Sequence, residues 1–141
     1  MTVLSKPLPP EEELHGEFYA FCGKHELRFQ CCSECSAWRH MPRECCAQCG
    51  SFEWSWKASS GKGALFSWTV VHRALHPAFE EDVPYAIAVV ELEEGVRLAT
   101  RLEDVSLDNL SLGLPLRVDF EDVAPGIALH FFRTAEQSQN E

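Results

Sequence analysis

The sequence predicts a mainly β protein with three parts: an N-terminal helix, a cysteine-rich ribbon and a C-terminal five-stranded barrel. Two observations lead to this prediction. Two Cys-x-x-Cys pairs with ten residues between them occupy the stretch from Cys32 to Cys49. After residue 60, five short apolar segments alternate with turn residues, a pattern typical of a small barrel. The expected boundaries are residues 1–26 for the helical segment, 27–58 for the ribbon, 59–133 for the barrel and 134–141 for a disordered tail.

The first segment has the signals of a helix start. Pro9 and Pro10 precede three glutamates, whose negative charges favour the positive N-terminal end of a helix dipole. Leu14, Phe18 and residues 21–22 then recur at roughly helical spacing. The pattern predicts one helix with an apolar face.

The cysteine pairs have the spacing of a tetrathiolate metal site. In each pair, two thiolates can wrap around one ion while backbone N–H groups point at the sulfurs. Thiolates select zinc or iron, and the zinc-ribbon spacing favours a structural Zn²⁺. A catalytic zinc keeps an open position, which four thiolates would fill. The predicted ligands are Cys32, Cys35, Cys46 and Cys49.

The register of the two knuckles is ambiguous by one residue. Cys31 and Cys45 each directly precede a predicted ligand, so a Cys31-x₃-Cys35 knuckle is conceivable. The symmetric x₂ spacing and Gly50, placed where a knuckle turn needs it, favour the register given above. Cys31 and Cys45 are then expected to be small buried hydrophobic residues, as is Cys22.

Five strands are expected after the turn at residues 60–63, and they are short and closely spaced. Residues 106–115 read as a helical or looped connection between the third and fourth strands, where a barrel of the oligonucleotide/oligosaccharide-binding (OB) type often carries its helix. Periodicity alone does not choose the topology of the barrel. The expected strands span residues 64–74, 85–92, 96–102, 116–123 and 127–132.

The formal net charge of −10 is spread unevenly along the chain. Residues 24–73 contain seven basic and four acidic side chains, whereas residues 74–141 contain four basic and fourteen acidic ones. The barrel half would therefore repel a phosphate backbone. Its acidity fits either a solvated surface or a docking face for a basic partner. No apolar run approaches the ~18 residues of a membrane span, and the N-terminus has no apolar signal core, so we expect a cytoplasmic location.

One stretch of the predicted barrel combines aromatic and basic side chains beside a loop held between two prolines. A His–Arg–His group there could meet a phosphate or a carbonyl, although it also fits an exposed strand end, and the tryptophan also fits a core position. No Ser/His/Asp set, glycine-rich phosphate loop or nucleotide fingerprint is present, so the sequence does not predict an independent enzyme. The residues concerned are Trp68, His72, Arg73, His76 and Phe79.

Taken together, these blocks resemble a family of acyl-CoA-associated proteins. The resemblance runs from about residue 12 to residue 132 and implies an N-terminal helix pair, a rubredoxin-like zinc ribbon and a C-terminal OB-fold. It rests on LRFQ-x-C-x-x-C from Leu27, C-x-x-C-G ending at Gly50, S-x-T-V-V-H-R from Ser67 to Arg73, His76-Pro77-x-Phe79, Val83-Pro84-Tyr85 and Glu94-Gly95-Val96-Arg97.

The resemblance also implies a function. Members of the family are similar to non-catalytic subunits or fused domains that accompany thiolase-fold enzymes and enoyl-CoA hydratases in lipid metabolism, including steroid side-chain degradation. By resemblance, we expect a hetero-oligomer in which this chain stabilises a thiolase-fold aldolase or acyltransferase and helps form its CoA channel. The stretch from Trp68 to Phe79 is then the best candidate for contact with CoA or with the partner enzyme. The resemblance carries over no catalytic residue.

Two alternatives remain open from the sequence. A zinc ribbon joined to an OB-fold also suits a single-stranded nucleic-acid-binding protein, in which aromatic side chains stack on bases, although the charge of the barrel half opposes it. Iron in the four-cysteine site would instead make the protein an electron carrier.

Overall fold

The first element is a helix, α1 (Glu13–Cys22). The computed structural model describes residues 6–135, and within this range α1 is the only α-helix, whereas the resemblance implied a pair. The helix starts later than the prolines suggested. Phe18 and Cys22 are buried on the predicted apolar face. Gly16 is buried as well, and a Cβ at that position would lie 2.4 Å from the backbone of Glu11, so only glycine fits there.

The ribbon contains a small antiparallel sheet. Strand β1 (Arg28–Cys32) lies between β2 (Trp38–Arg39) and β3 (Trp54–Ala58). The two-residue strand β2 is too short to show alternation in the sequence. Because β1 ends at Cys32 and β2 follows six residues later, the sheet fixes both ends of the first knuckle.

The barrel has the five predicted strands, with ends that differ by up to three residues. The long central strand ends earlier than expected, and the last one ends later. Two 3₁₀ turns interrupt the connections, one between β4 and β5 (Pro77–Phe79) and one between β6 and β7 (Leu107–Asn109). The strands are β4 (Lys62–Val71), β5 (Tyr85–Leu92), β6 (Arg97–Arg101), β7 (Pro115–Ala124) and β8 (Ile127–Thr134).

These five strands close on themselves. Their order in the sheet is β6-β5-β4-β7-β8, with antiparallel neighbours throughout. A parallel bridge pairs Leu102, just after β6, with Phe132 of β8, and the N–H of Glu103 donates to the carbonyl of Phe132 at 2.9 Å. The ring is therefore complete, and the mainly β class with one helix and two sheets is confirmed.

A bulge in β4 decides which of its side chains face inward. The register shifts between Leu65, opposite Val90, and Ser67, opposite Val89. Phe66 is consequently exposed at the bulge, and Trp68 packs from the inner side, opposite the buried Ala88. Because the bulge resets the alternation, the sequence pattern of this strand is harder to assign to faces than that of β5.

The three parts of the chain share one hydrophobic core. Phe18 of α1, Leu27 and Phe29 belong to the same buried cluster as the barrel residues, among them Leu65 and Phe132. The boundaries drawn at residues 26 and 58 therefore mark changes of secondary structure within one continuous core. At the other end, β8 extends through Thr134, where the tail of residues 134–141 was expected to begin, and residues 136–141 of that tail lie outside the described residues.

Candidate metal centre and partner-facing loop

The two knuckles bring four cysteine sulfurs together. The Sγ atoms of Cys32 and Cys49 are 3.6 Å apart, as are those of Cys35 and Cys46, and all four lie within 4.8 Å of one another. Zinc–sulfur bonds of ~2.3 Å in a tetrahedron would place the sulfurs ~3.8 Å apart. The donor set and its spacing therefore fit one four-coordinate metal ion with no position left for a substrate.

Backbone amides prepare the sulfurs for a cation. The N–H groups of Glu34 and Cys35 point at the sulfur of Cys32 at 3.4 and 3.5 Å, and that of Gln48 points at Cys46 at 3.4 Å. The N–H groups of Cys49 and Gln48 lower the pKa of Cys46 to about 6 because they stabilise its thiolate. Metal binding requires this deprotonated form.

The neighbouring cysteines face away from this cluster. The sulfur of Cys31 lies 3.6 Å from the carbonyl oxygen of Ser36, and that of Cys45 lies 3.3 Å from the carbonyl oxygen of Gly50. Cys31 is buried and Cys45 is half-buried. The four sulfurs that converge are thus those of the x₂ register. Cys22, the last residue of α1, is not part of the cluster and is buried, and burial raises the pKa of its thiol to about 12.

A buried glutamine, which the sequence patterns did not reveal, fixes the loop between the knuckles. Gln30 on β1 is fully buried. Its amide nitrogen donates to the carbonyl of Arg43 at 2.8 Å, and its oxygen accepts from the N–H of Arg43 at 2.8 Å and from Nε of Arg39 at 3.0 Å. All its polar groups have partners. The only sequence signal is a polar residue between the apolar neighbours Phe29 and Cys31.

The five predicted contact residues are divided between two environments. Trp68 is half-buried and packs against the core, which is the second of the two positions that the sequence allowed for it. His72 and Arg73 are exposed after the end of β4. His76 is exposed too, and its Nδ1 accepts from the N–H of Ala78 at 3.0 Å, which caps the following turn. Leu75, between the basic residues, is 92% exposed, the highest value among the large apolar side chains described.

Phe79 instead lines a cavity of about 550 Å³ beside β5. Lys6 closes one side of it, because its ammonium group lies 2.6 Å from Asp82 and 5.3 Å from the centre of the Phe79 ring. Tyr85 packs near the same ring at 6.3 Å. The structure therefore joins the segment at Lys6 to this loop, and His72, Arg73 and His76 do not line this cavity.

Two histidine rings lie close to Phe18, the buried side chain of α1 that belongs to the core shared by helix, ribbon and barrel. The ring of Phe18 lies 4.8 Å from that of His40, after β2, and 5.8 Å from that of His130 on β8. Thr100 Oγ1 is hydrogen-bonded to Nδ1 of His130 at 2.9 Å. Burial lowers the pKa of both histidines to about 4, and the charge of Arg101 contributes at His130. Both imidazoles are therefore neutral at physiological pH.

Comparison with known proteins identifies the family. The family model for the C-terminal OB-fold domain of ChsH2 matches residues 56–121. A chain of the Ltp2-ChsH2(DUF35) aldolase superposes with a TM-score of 0.81 at 36% sequence identity, over 90% of this chain and 99% of that one.

The chain belongs to the ChsH2 OB-fold (DUF35) family. This confirms the resemblance and the OB-fold expected from it.

Two curated relatives are longer than the chain. A probable enoyl-CoA hydratase alpha subunit of Thermomonospora curvata is 36% identical over 92% of this chain. A 3-oxo-4,17-pregnadiene-20-carboxyl-CoA hydratase alpha subunit of Mycobacterium tuberculosis is 39% identical over 70% of it. The matched regions span 40% and 32% of those proteins. Within residues 6–135 of this ChsH2-like chain, no helix has the length and apolarity to cross a membrane.

Proposed function

We propose that this protein is a non-catalytic accessory subunit that binds and stabilises a thiolase-fold acyl-CoA enzyme, an aldolase or an acyltransferase, and helps form its CoA channel. The observation that carries the proposal is the match to a chain of the Ltp2-ChsH2(DUF35) aldolase over nearly the full length of that chain. The CoA thioester hydratase names of the two curated relatives support a substrate of the same class, and one of them supports a steroid acyl group.

The chemistry of the described residues supports the non-catalytic role. The four cysteine sulfurs would occupy all four coordination positions of a metal ion, and in this proposal the site holds a structural Zn²⁺. The exposed basic residues His72, Arg73 and His76 lie on a loop and have no nucleophile or carboxylate hydrogen-bonded to them within residues 6–135. An activated nucleophile needs an adjacent base that a third group orients, and these three residues form no such set within residues 6–135.

The loop after β4 is the proposed contact with the partner enzyme. Leu75 is 92% exposed at its tip and is flanked by Arg73 and His76, whereas the rest of the barrel half is acidic. Leu75 is the most exposed large apolar side chain among residues 6–135, and in this proposal it packs against the partner enzyme. Trp68 supports the loop from the core, and Phe79 holds its far end against Lys6.

The test is reconstitution with the cognate enzyme. The partner is first identified by mass spectrometry of proteins that co-purify with the chain from its source cell. It is then produced with and without the chain. We expect soluble, active enzyme only in the joint preparation, and Leu75→Ser should weaken the complex by roughly tenfold because an apolar anchor is lost from the interface.

Leu112 provides a matched control, since it is 73% exposed and adjoins Gly113, which bonds to Leu65 near the opposite end of β4. Leu112→Ser should leave the affinity unchanged. A partner enzyme that is fully active without this chain would refute the accessory role. Equal effects of the two leucine substitutions would leave the role intact and refute the assignment of the loop.

A further inference from the structure

The cavity beside Phe79 is lined mostly by apolar side chains. Leu102 in its lining is buried and Tyr85 is half-buried, whereas Leu8 is 53% exposed. Its volume of about 550 Å³ is large enough to take side chains from another molecule. Apolar surface of the cavity is therefore open to an apolar group from outside the chain.

Acidic side chains predominate among the charged residues of this cavity. Five carboxylates line it against two cations, so the formal charge of its lining is −3. The two cations are already engaged, since Lys6 lies 2.6 Å from Asp82 and Arg101 pairs with two of the glutamates. Glu81 is exposed and forms no ion pair within residues 6–135. The lining therefore favours a basic group beside the apolar one.

The loop that leads into the cavity carries both of these features. Leu75 is 92% exposed at its tip, and the exposed Arg73 forms no ion pair in the described part of the chain. The ring of His76 lies 5.9 Å from that of Phe79, so the tip stands directly beside the cavity. A basic, apolar projection and an acidic, apolar hollow are therefore neighbours on one surface.

The projection does not fill the hollow of its own chain. Neither Arg73 nor Leu75 lines the cavity. Nδ1 of His76 accepts from the N–H of Ala78 at 3.0 Å, which fixes the backbone between the tip and the cavity. A two-fold axis between two copies would bring the projection of each copy to the hollow of the other, so every contact is made twice.

We propose that two copies of this chain associate through this face, with Leu75 of each copy in the cavity beside Phe79 of the other and Arg73 facing Glu81 of the second copy. The contact covers the most exposed large apolar side chain among residues 6–135. It also pairs two charged groups that have no ion-pair partner within that range. An apolar anchor beside complementary charges is the usual composition of a protein interface.

This association goes beyond the proposed function, because it concerns the chain without its enzyme. Both contacts use Leu75, so the enzyme and the second copy would compete for the same face. The net charge of −10 opposes self-association at long range. At physiological ionic strength this repulsion is screened over about 8 Å, whereas a direct ion pair acts within about 4 Å. The experiment therefore uses physiological salt.

The test is sedimentation velocity of the full-length, zinc-loaded chain under reducing conditions, from about 1 to about 300 µM, a range that covers weak association. We expect a shift from monomer to dimer as the concentration rises. Leu75→Ser should raise the dissociation constant roughly tenfold for each of the two leucines buried, about 100-fold in all. Leu112→Ser is the control and should leave the constant unchanged, because Leu112 is 73% exposed and lies outside the cavity.

Arg73→Glu and Glu81→Arg test the pairing of charges. Each variant alone places like charges opposite each other at both contacts and should stay monomeric over this range. An equimolar mixture of the two restores opposite charges at both contacts and should form the dimer again. Glu93→Arg makes the same change of charge beyond the far end of β5 from Tyr85, and it should associate as the wild type does. Thermal unfolding checks that each variant folds.

The inference is overturned if the wild-type chain sediments as a monomer at every concentration. A dimer that forms equally well in Arg73→Glu and Glu81→Arg, or whose constant Leu75→Ser and Leu112→Ser change equally, uses another surface and overturns it too. So does a mixture of the two charge variants that stays monomeric. None of these results touches the accessory role, which co-production with the enzyme tests separately.

Discussion

Phe18→Ala tests whether one side chain joins the helix, the ribbon and the barrel. The side chain is 1% exposed and lies within 6.1 Å, between ring centres, of Phe29 on the ribbon and of the half-buried His40 and His130. Truncating a buried phenylalanine costs about 3–5 kcal/mol of unfolding free energy, from lost burial and the cavity left behind. We expect the upper part of this range, since elements from all three parts would have to move to fill the space.

Such a loss is a large share of the 5–15 kcal/mol available to a typical domain. In a chain of this length it corresponds to a fall in melting temperature of roughly 10–15 °C. The assay is urea unfolding of zinc-loaded protein, followed by tryptophan fluorescence and by circular dichroism. Phe52→Ala is the control, because Phe52 is 68% exposed. A loss below about 1 kcal/mol, or no larger than that of Phe52→Ala, would refute the view that Phe18 joins the three parts.

Two further predictions concern the ribbon and the pH dependence of stability. Cys46→Ser should abolish stoichiometric zinc binding and most of the folded population, because in this proposal the metal supplies the folding energy of the ribbon. Cys45→Ser is the control and should retain both. Metal analysis and thermal unfolding compare the two variants. A Cys46→Ser protein that melts normally would contradict the structural role. The pKa of His130 is about 4 in the folded chain and near 6.5 in the unfolded one, so the unfolded state binds the extra proton between these values. Its contribution, at most about 3 kcal/mol, should be complete above pH 6.5 and be lost as the pH falls toward 4; His130→Gln should flatten this part of the stability profile, and an unchanged slope would contradict the assignment.

Local patterns were sufficient to predict the elements whose signals lie within a few residues. The strands predicted at residues 85–92 and 96–102 are present as β5 and β6, which pair as a hairpin. The two C-x-x-C pairs predicted the four sulfurs that converge. Because Cys31 and Cys45 each precede a ligand, the sequence left the register of each knuckle ambiguous by one residue, and only the direction of these two side chains resolves it.

Long-range features could not be predicted in the same way. The bulge at Leu65–Ser67 shifts Trp68 to the inner face, and its position depends on pairing with a strand some twenty residues later. The hydrogen bonds between the Gln30 amide and the backbone of Arg43 join residues thirteen positions apart, and no short sequence pattern encodes such a contact. The cavity beside Phe79 likewise exists only after the fold brings Lys6 and Leu129 to the start of β5.

The continuous core has a consequence for how the molecule responds to its metal. Phe29 belongs to the strand that ends in the first knuckle, and it is part of the same buried cluster as Leu65 and Phe132 of the barrel. The free energy of metal binding is therefore shared with strands that never touch the ion. Removal of the metal by a chelator should therefore raise the rate of amide exchange in the barrel as well as in the ribbon, and should make both more susceptible to proteolysis.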